Sequence, residues 1–169
     1  YFPLMNGTFS CGKSTALVET CRLIAQNLVT RNITTVSEPK VIEKLISGAA
    51  CSGAWLCLNA IDRLDTVALS MITPWFQQLQ EVLKEMGKGK GMGRRRGGKR
   101  AHKGEEGDTN KFQITLPHCG KLDVNRCAFL CFIVSPEYPG RHTLPSSLMA
   151  LMRPITLLRA HMTPVIDCL

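Results

Sequence analysis

Hydrophobic and polar positions change period several times along the 169-residue chain, and each change marks the edge of a predicted element. Residues 2–5 form a short apolar run, read as a strand. From 14 to 30, Leu17, Cys21, Ile24, Ala25 and Leu28 recur every three or four residues, which predicts an amphipathic helix. The β-branched stretch 33–36 predicts a second strand. Pro39 then opens a helix that should stop between Gly48 and Gly53. Residues 54–58 are continuously apolar, the pattern of a strand covered on both faces, and are expected at the centre of a sheet. A helix is predicted from about Asp62, carrying Leu64, Val67, Ala68, Met71, Trp75, Leu79 and Leu83 on one side and kinked or split at Pro74. Residues 112–116 and 121–124 alternate as a β-hairpin, and 127–134 form another fully apolar strand. A short helix over 144–152 and a last strand over 155–158 complete the pattern. The alternation predicts an α/β fold, with a mostly parallel central sheet flanked by helices and a hairpin insertion, as one domain over 1–169.

Between the first strand and the first helix stands Gly7-Thr8-Phe9-Ser10-Cys11-Gly12-Lys13-Ser14, which satisfies G-x-x-x-x-G-K-[ST] at every fixed position. Its chemistry explains its spacing. The two glycines let the backbone turn tightly enough to aim successive N–H groups at phosphate oxygens, while Lys13 reaches the terminal phosphates and the Ser14 hydroxyl can ligate Mg²⁺. The helix that follows adds its unpaired N–H groups and the positive end of its dipole. Gly7, Cys11, Gly12, Lys13, Ser14 and Thr15 are therefore the expected nucleotide-binding residues, for ATP or ADP with Mg²⁺. The motif makes the chain a P-loop NTPase candidate.

The net charge of +8 resembles a nucleic-acid signature until it is located. Residues 84–103 hold nine Lys or Arg and one Glu, so the rest of the chain carries twelve of each sign and sums to zero. Residues 87–107 are Gly, Lys and Arg with almost nothing apolar, and are expected to form a disordered basic loop. Two readings of the segment stand: a solvated insertion tolerated at the surface, or a tether for an acidic partner such as RNA, a phosphoprotein or the microtubule surface. It has no aromatic residues for base stacking, which disfavours nucleic acid.

No run approaches the eighteen or so apolar residues of a membrane helix, and no charged-then-apolar leader stands at the start, so a soluble, unsecreted protein without a membrane partner is expected. The start at Tyr1 suggests a piece of a longer polypeptide. Of the eight cysteines, Cys11, Cys21, Cys51, Cys57, Cys127 and Cys131 lie within apolar or helical patterns, and no C-x-x-C occurs; reduced, buried thiols are expected. The spacing of Cys119, Cys127, Cys131 and His118 matches no common zinc site. His118, His142 and His161 are read as surface or satisfied histidines.

Three blocks in order carry a resemblance. After the P-loop come Ser47-Gly48-Ala49-Ala50-Cys51-Ser52-Gly53-Ala54-Trp55-Leu56-Cys57, Arg63-Leu64-Asp65 and Val67-Ala68-Leu69-Ser70; then Ser135-Pro136-Glu137-Tyr138-Pro139-Gly140-Arg141-His142-Thr143-Leu144-Pro145 continues to Leu148-Met149-Ala150-Leu151-Met152-Arg153-Pro154. Together they resemble the first AAA+ module of dynein heavy chains, with S-G-x-x-x-S-G-A-W-x-C-F-D-E-F-N-R-I and N-P-G-Y-A-G-R-x-E-L-P as the family patterns. The resemblance implies an AAA+ large subdomain in a microtubule-based motor. Its partners would be adjacent AAA+ modules of the same chain, dynein complex subunits and, indirectly, microtubules. Its location would be cytoplasmic and cytoskeletal, including the axoneme of a cilium or flagellum.

The departures from that pattern bear on catalysis. Where the family has the Walker B acids, Asp for the metal and Glu for the attacking water, this chain has Asn59 and Ala60, and the sensor Asn is Ser135. An amide lacks the charge that favours Mg²⁺, and alanine orients nothing, so binding without efficient hydrolysis is expected. A shifted frame would make Asp62 the metal-holding acid of an active ATPase, although its position reads as a helix N-cap. The resemblance also implies that Arg153, in the short helix, is a trans arginine finger; a salt bridge at the sheet rim is the alternative. Arg141 is read as structural.

Overall fold

The computed structural model describes residues 1–88, 112–137 and 140–159, and no helix among them is long and apolar enough to cross a membrane. The expected α/β fold is present, with the strands β1 (Phe2–Gly7), β2 (Leu28–Asn32), β3 (Trp55–Asn59), β6 (Phe129–Ile133) and β7 (Met152–Leu157) in one sheet. Their spatial order is β2-β3-β6-β1-β7, all parallel. The predicted hairpin is β4 (Gln113–Leu116) with β5 (Gly120–Asp123), paired antiparallel as a separate sheet. Helices α1 (Lys13–Leu23), α2 (Pro39–Ser52), α3 (Thr66–Lys88) and α4 (Ser146–Met149) fill the connections.

Strand alternation sorts the core into two unequal layers. Leu4, Leu56, Leu58, Leu130 and Phe132 face α2 and α3, where they meet Ile42, Ile46, Leu69, Ile72, Phe76 and Leu79 in one buried cluster. Phe132 is fully buried, with the rings of Phe76 and Phe2 edge-on at centroid distances of 5.2 and 6.2 Å. The residues between them, Met5, Cys57, Cys131 and Ile133, point to the opposite face and pack against Leu17 and Cys21 of α1. That layer is the smaller because one short helix covers it. Burial pushes the Cys21 thiol up, and a bond to Cys57 together with burial does the same to Cys131, so these thiols stay protonated. Cys51 and Cys127 are exposed and Cys11 is half-buried, against the expectation of burial for all six.

Several expected elements move. The first helix ends at Leu23, not Thr30, because Ala25 adopts a left-handed conformation (φ 53°) that no helix continues through. Residues 28–32 then become β2, which pairs with all of β3 from Leu28 against Trp55 to Asn32 against Asn59; the strand placed at 33–36 is a loop. The middle of the sheet belongs to β6 rather than β3. Pro74 neither ends nor divides α3, since Leu69, Ile72, Trp75, Phe76 and Leu79 bury the helix on both sides of it. That packing outweighs a proline penalty of about 3 kcal/mol. The helix also runs through Gly87 and Lys88, where the basic loop was expected to begin. The remainder of that loop, from 89 to 107, lies outside the described residues, as does His161.

Gly53 ends α2 at φ 77°, and an added Cβ would stand 2.7 Å from the Asn125 side chain. Asn125 itself donates its N–H to the Ala50 carbonyl. Gly53→Ala is expected to lower stability by about 1–2 kcal/mol, through both the strained φ and the displaced Asn125, as read from urea unfolding. No measurable loss would mean that Asn125 moves aside freely.

Candidate nucleotide-binding cleft

The C-terminal ends of parallel strands are where loops converge in such a sheet, and the candidate residues gather there. A cleft of about 390 Å³ is lined by residues 9–15 of the P-loop and the start of α1, Asn32 and Ile33 at the end of β2, Asn59 and Ala60 at the end of β3, Arg63, Ser135 after β6, and Arg141. The P-loop conformation needs its glycines. Gly12 caps α1 in the left-handed region (φ 81°), and Ser10 shares that region (φ 59°). At Gly7 (φ 156°) a Cβ would approach the Leu157 carbonyl oxygen to 2.4 Å, so the loop passes too close to β7 for any side chain.

Lys13 is 7% exposed, and its Nζ donates to the carbonyl oxygens of Gly7 at 2.8 Å and Thr8 at 2.6 Å. Those bonds hold the amine inside the loop. Ser14 and Thr15 are exposed at the start of α1 and line the cleft. Asn59 donates its side-chain N–H to Asn32 Oδ1 at 2.9 Å, tying the ends of β3 and β2 together. Ala60 is left-handed (φ 60°), and its N–H bonds the Ile133 carbonyl of β6. Of the six residues expected at the nucleotide, Cys11, Gly12, Lys13, Ser14 and Thr15 line the cleft, and Gly7 shapes the loop from behind.

Asp62 is not in the lining. It lies in a 3₁₀ turn (Ile61–Arg63), 4% exposed, where Arg141 Nη1 donates to Oδ1 at 2.5 Å and its carbonyl accepts the His142 N–H. Nor is Asp62 a helix N-cap: that role falls to Asp65, whose Oδ1 accepts the Thr66 N–H at 2.7 Å. Arg141, read as structural, is both the partner of Asp62 and part of the cleft wall. Arg153 is on β7, not in the short helix, because the chain is already paired with β1 from Phe2 against Met152 onward. It stands opposite Pro3, four residues before the end of β1, roughly 13 Å along the strand from the P-loop.

Sequence reasoning missed Asn32, Arg63 and Arg141 as cleft residues. Asn32 had no signal, since its strand was misplaced. The two arginines lie within the resemblance blocks, yet nothing local says that they face the same space.

The chemistry of this lining suits phosphate and does not suit a metal ion. Lys13, Arg63 and Arg141 contribute three cations, and no carboxylate is among the residues lining the cleft. Ser14, whose hydroxyl was expected to ligate Mg²⁺, lines the cleft, but Mg²⁺ is ordinarily held with one or two carboxylates. The donor set therefore does not fit the metal.

Comparison with known proteins agrees with the P-loop and the sheet. Residues 3–92 match the family described as the hydrolytic ATP binding site of dynein motor region, which covers the P-loop and the whole of β3 and α3. The chain belongs to the dynein heavy-chain family. It is 24% identical over 152 residues to the Dynein-1-beta heavy chain of the flagellar inner arm I1 complex of Chlamydomonas reinhardtii, and 28% identical over 152 residues to human Dynein axonemal heavy chain 6. Human Dynein axonemal heavy chain 3 is 20% identical over the same length. Each match takes in 90% of this chain and 3% of the relative, so the chain spans a small part of the proteins it resembles. As a dynein-type AAA module with this P-loop, it is a nucleotide-binding unit.

Proposed function

We propose that this dynein-family module holds ATP or ADP as a structural ligand and hydrolyses it poorly, serving the geometry of an AAA+ ring within a longer heavy chain. The observation that carries the reading is the pairing of an intact P-loop with Asn59 and Ala60 at the C-terminal end of β3, where the cleft has neither an acid for a metal nor a base for water. Binding survives such losses because backbone N–H groups and Lys13 make the phosphate contacts. Adjacent AAA+ modules and dynein complex subunits are the partners this role requires, with microtubules engaged indirectly. The names of the flagellar and axonemal relatives support a cytoskeletal location in a cilium or flagellum. The burial of Asp62 behind Arg141 disfavours the active ATPase that would use it as the metal-holding acid. A tether through residues 84–103 falls mostly outside the described residues.

The test is nucleotide-dependent stability. A ligand that binds only the native state adds about 2.7 kcal/mol at a hundredfold excess over Kd, and Lys13→Ala is expected to remove that gain. Thermal unfolding of the whole protein with and without ATP measures it. An unmoved transition at saturating ATP in the natural sequence would defeat the proposal.

A further inference from the structure

We infer that Arg63 reads the terminal phosphate of the bound nucleotide and makes this cleft select a nucleoside triphosphate over a diphosphate. This role rests on the nucleotide-binding reading and adds to it which nucleotide the site holds. The P-loop and the first N–H groups of α1 form one wall of the cleft, where such a loop cradles the inner phosphates. Another wall is made by Asn59 and Ala60 at the end of β3, Ser135 after β6, and Arg63. In P-loop sites the groups at the end of that strand act at the terminal phosphate, so a third phosphate extends the ligand toward this wall.

Lys13 and Arg63 stand differently in the cleft. Lys13 is 7% exposed, and its amine already donates to the carbonyl oxygens of Gly7 and Thr8. Arg63 is exposed, and its side chain makes no hydrogen bond or ion pair among the described residues. Its backbone, by contrast, is fixed. Ile61 and Leu64 bury themselves on either side of it, at 0% and 1% exposure, and anchor the 3₁₀ turn in the core. The Arg63 N–H bonds the Ala60 carbonyl at 3.1 Å, and the Asp62 carbonyl accepts the His142 N–H at 2.8 Å, which ties the turn to the loop after β6. A guanidinium on a rigid mount at this wall suits a phosphate, because its planar fork matches phosphate oxygens and it stays charged at any working pH. A diphosphate leaves Arg63 in water, whereas a triphosphate supplies its partner. The contact therefore counts for one nucleotide and not for the other.

Equilibrium binding of ADP and of a β,γ-imido ATP analogue, which is not hydrolysed at that bond, tests the role in the whole protein. The analogue is expected to bind about tenfold more tightly than ADP, the gain from one charge-assisted contact. Arg63→Gln, an exposed change that leaves the buried flanks of the turn alone, should weaken the analogue by about tenfold and leave ADP within about threefold, so that the preference disappears. Natural protein that binds both nucleotides equally overturns the inference alone. So does an Arg63→Gln protein that keeps the preference, or one that loses affinity for both nucleotides by the same factor. Protein that binds neither nucleotide overturns the nucleotide reading, and the inference with it.

Discussion

Asn59→Asp combined with Ala60→Glu is expected to raise ATP hydrolysis by about a hundredfold over a natural sequence that releases phosphate near background, since one well-placed electrostatic or positioning group commonly contributes that much. Both positions stand at the C-terminal end of β3. Asn59 lines the same cleft as Ser14, so a carboxylate there adds the missing anionic partner for a metal. Ala60 lines the same cleft, which places a longer acidic side chain within reach of an attacking water. Ala60 already bears the strain of its left-handed backbone, which comes from the Cβ that alanine and glutamate share, so glutamate there adds little further strain. Ser135 remains as the weak sensor, so recovery should be partial, and the separate effects should not add. Steady-state phosphate release in an intact ring reads the result, with Lys13→Ala as the control that removes restored turnover. Strong turnover in the natural sequence, abolished by Lys13→Ala, would refute the assignment of β3 as catalytically degraded.

Removing the Glu43 carboxylate should produce the largest loss of stability, about 3–4 kcal/mol for Glu43→Ala, comparable to breaking a buried ion pair. Glu43 lies on α2 with no exposed surface. Its Oε1 accepts the N–H of His118 at 2.6 Å and of Cys119 at 3.2 Å, and its Oε2 sits 2.6 Å from His118 Nδ1. One carboxylate thereby fixes the turn of the β4–β5 hairpin onto the helix, and truncation would leave two backbone donors without their acceptor. Burial alone pushes the Glu43 carboxyl up, but the donors from His118 and Cys119 and the His118 charge outweigh it and hold the group below its ordinary value.

A carboxyl depressed in the folded state stabilises the protein above its unfolded value, near pH 4.3, and that stabilisation is lost as pH falls through the folded value. Natural protein should therefore weaken below about pH 4, and Glu43→Gln, which keeps an acceptor but cannot ionise, should show a shallower acid dependence. Urea unfolding across the acid range measures both. A Glu43→Ala protein within half a kcal/mol of natural stability would show that water replaces the carboxylate at the hairpin turn.

The sequence alone determined the features set by neighbouring residues. The P-loop lies within eight consecutive positions, and its consequence follows from glycine conformation and one lysine. The unbroken apolar run over 127–134 indicated a covered strand, observed as β6, and Pro39 with the glycines from 48 to 53 bracketed α2, which ends at Gly53. The dynein resemblance, too, was carried by contiguous blocks. Where local signals competed, they misled. Leu28 continued a helical period, yet the left-handed Ala25 broke the helix and pairing with β3 drew 28–32 into the sheet.

What only the tertiary structure decided joins residues far apart in the chain. Asp62 and Arg141 are 79 positions apart, and their ion pair took Asp62 out of contention as a cleft acid while turning Arg141 into a cleft cation. Glu43 and His118 are 75 apart, and neither showed any sign of the other. Such pairs depend on how helices and loops settle on a sheet whose strand order is not the chain order, and on which polar groups then need partners to be buried at all. A linear pattern records the period of each element. It does not record which side chains the packed elements bring face to face.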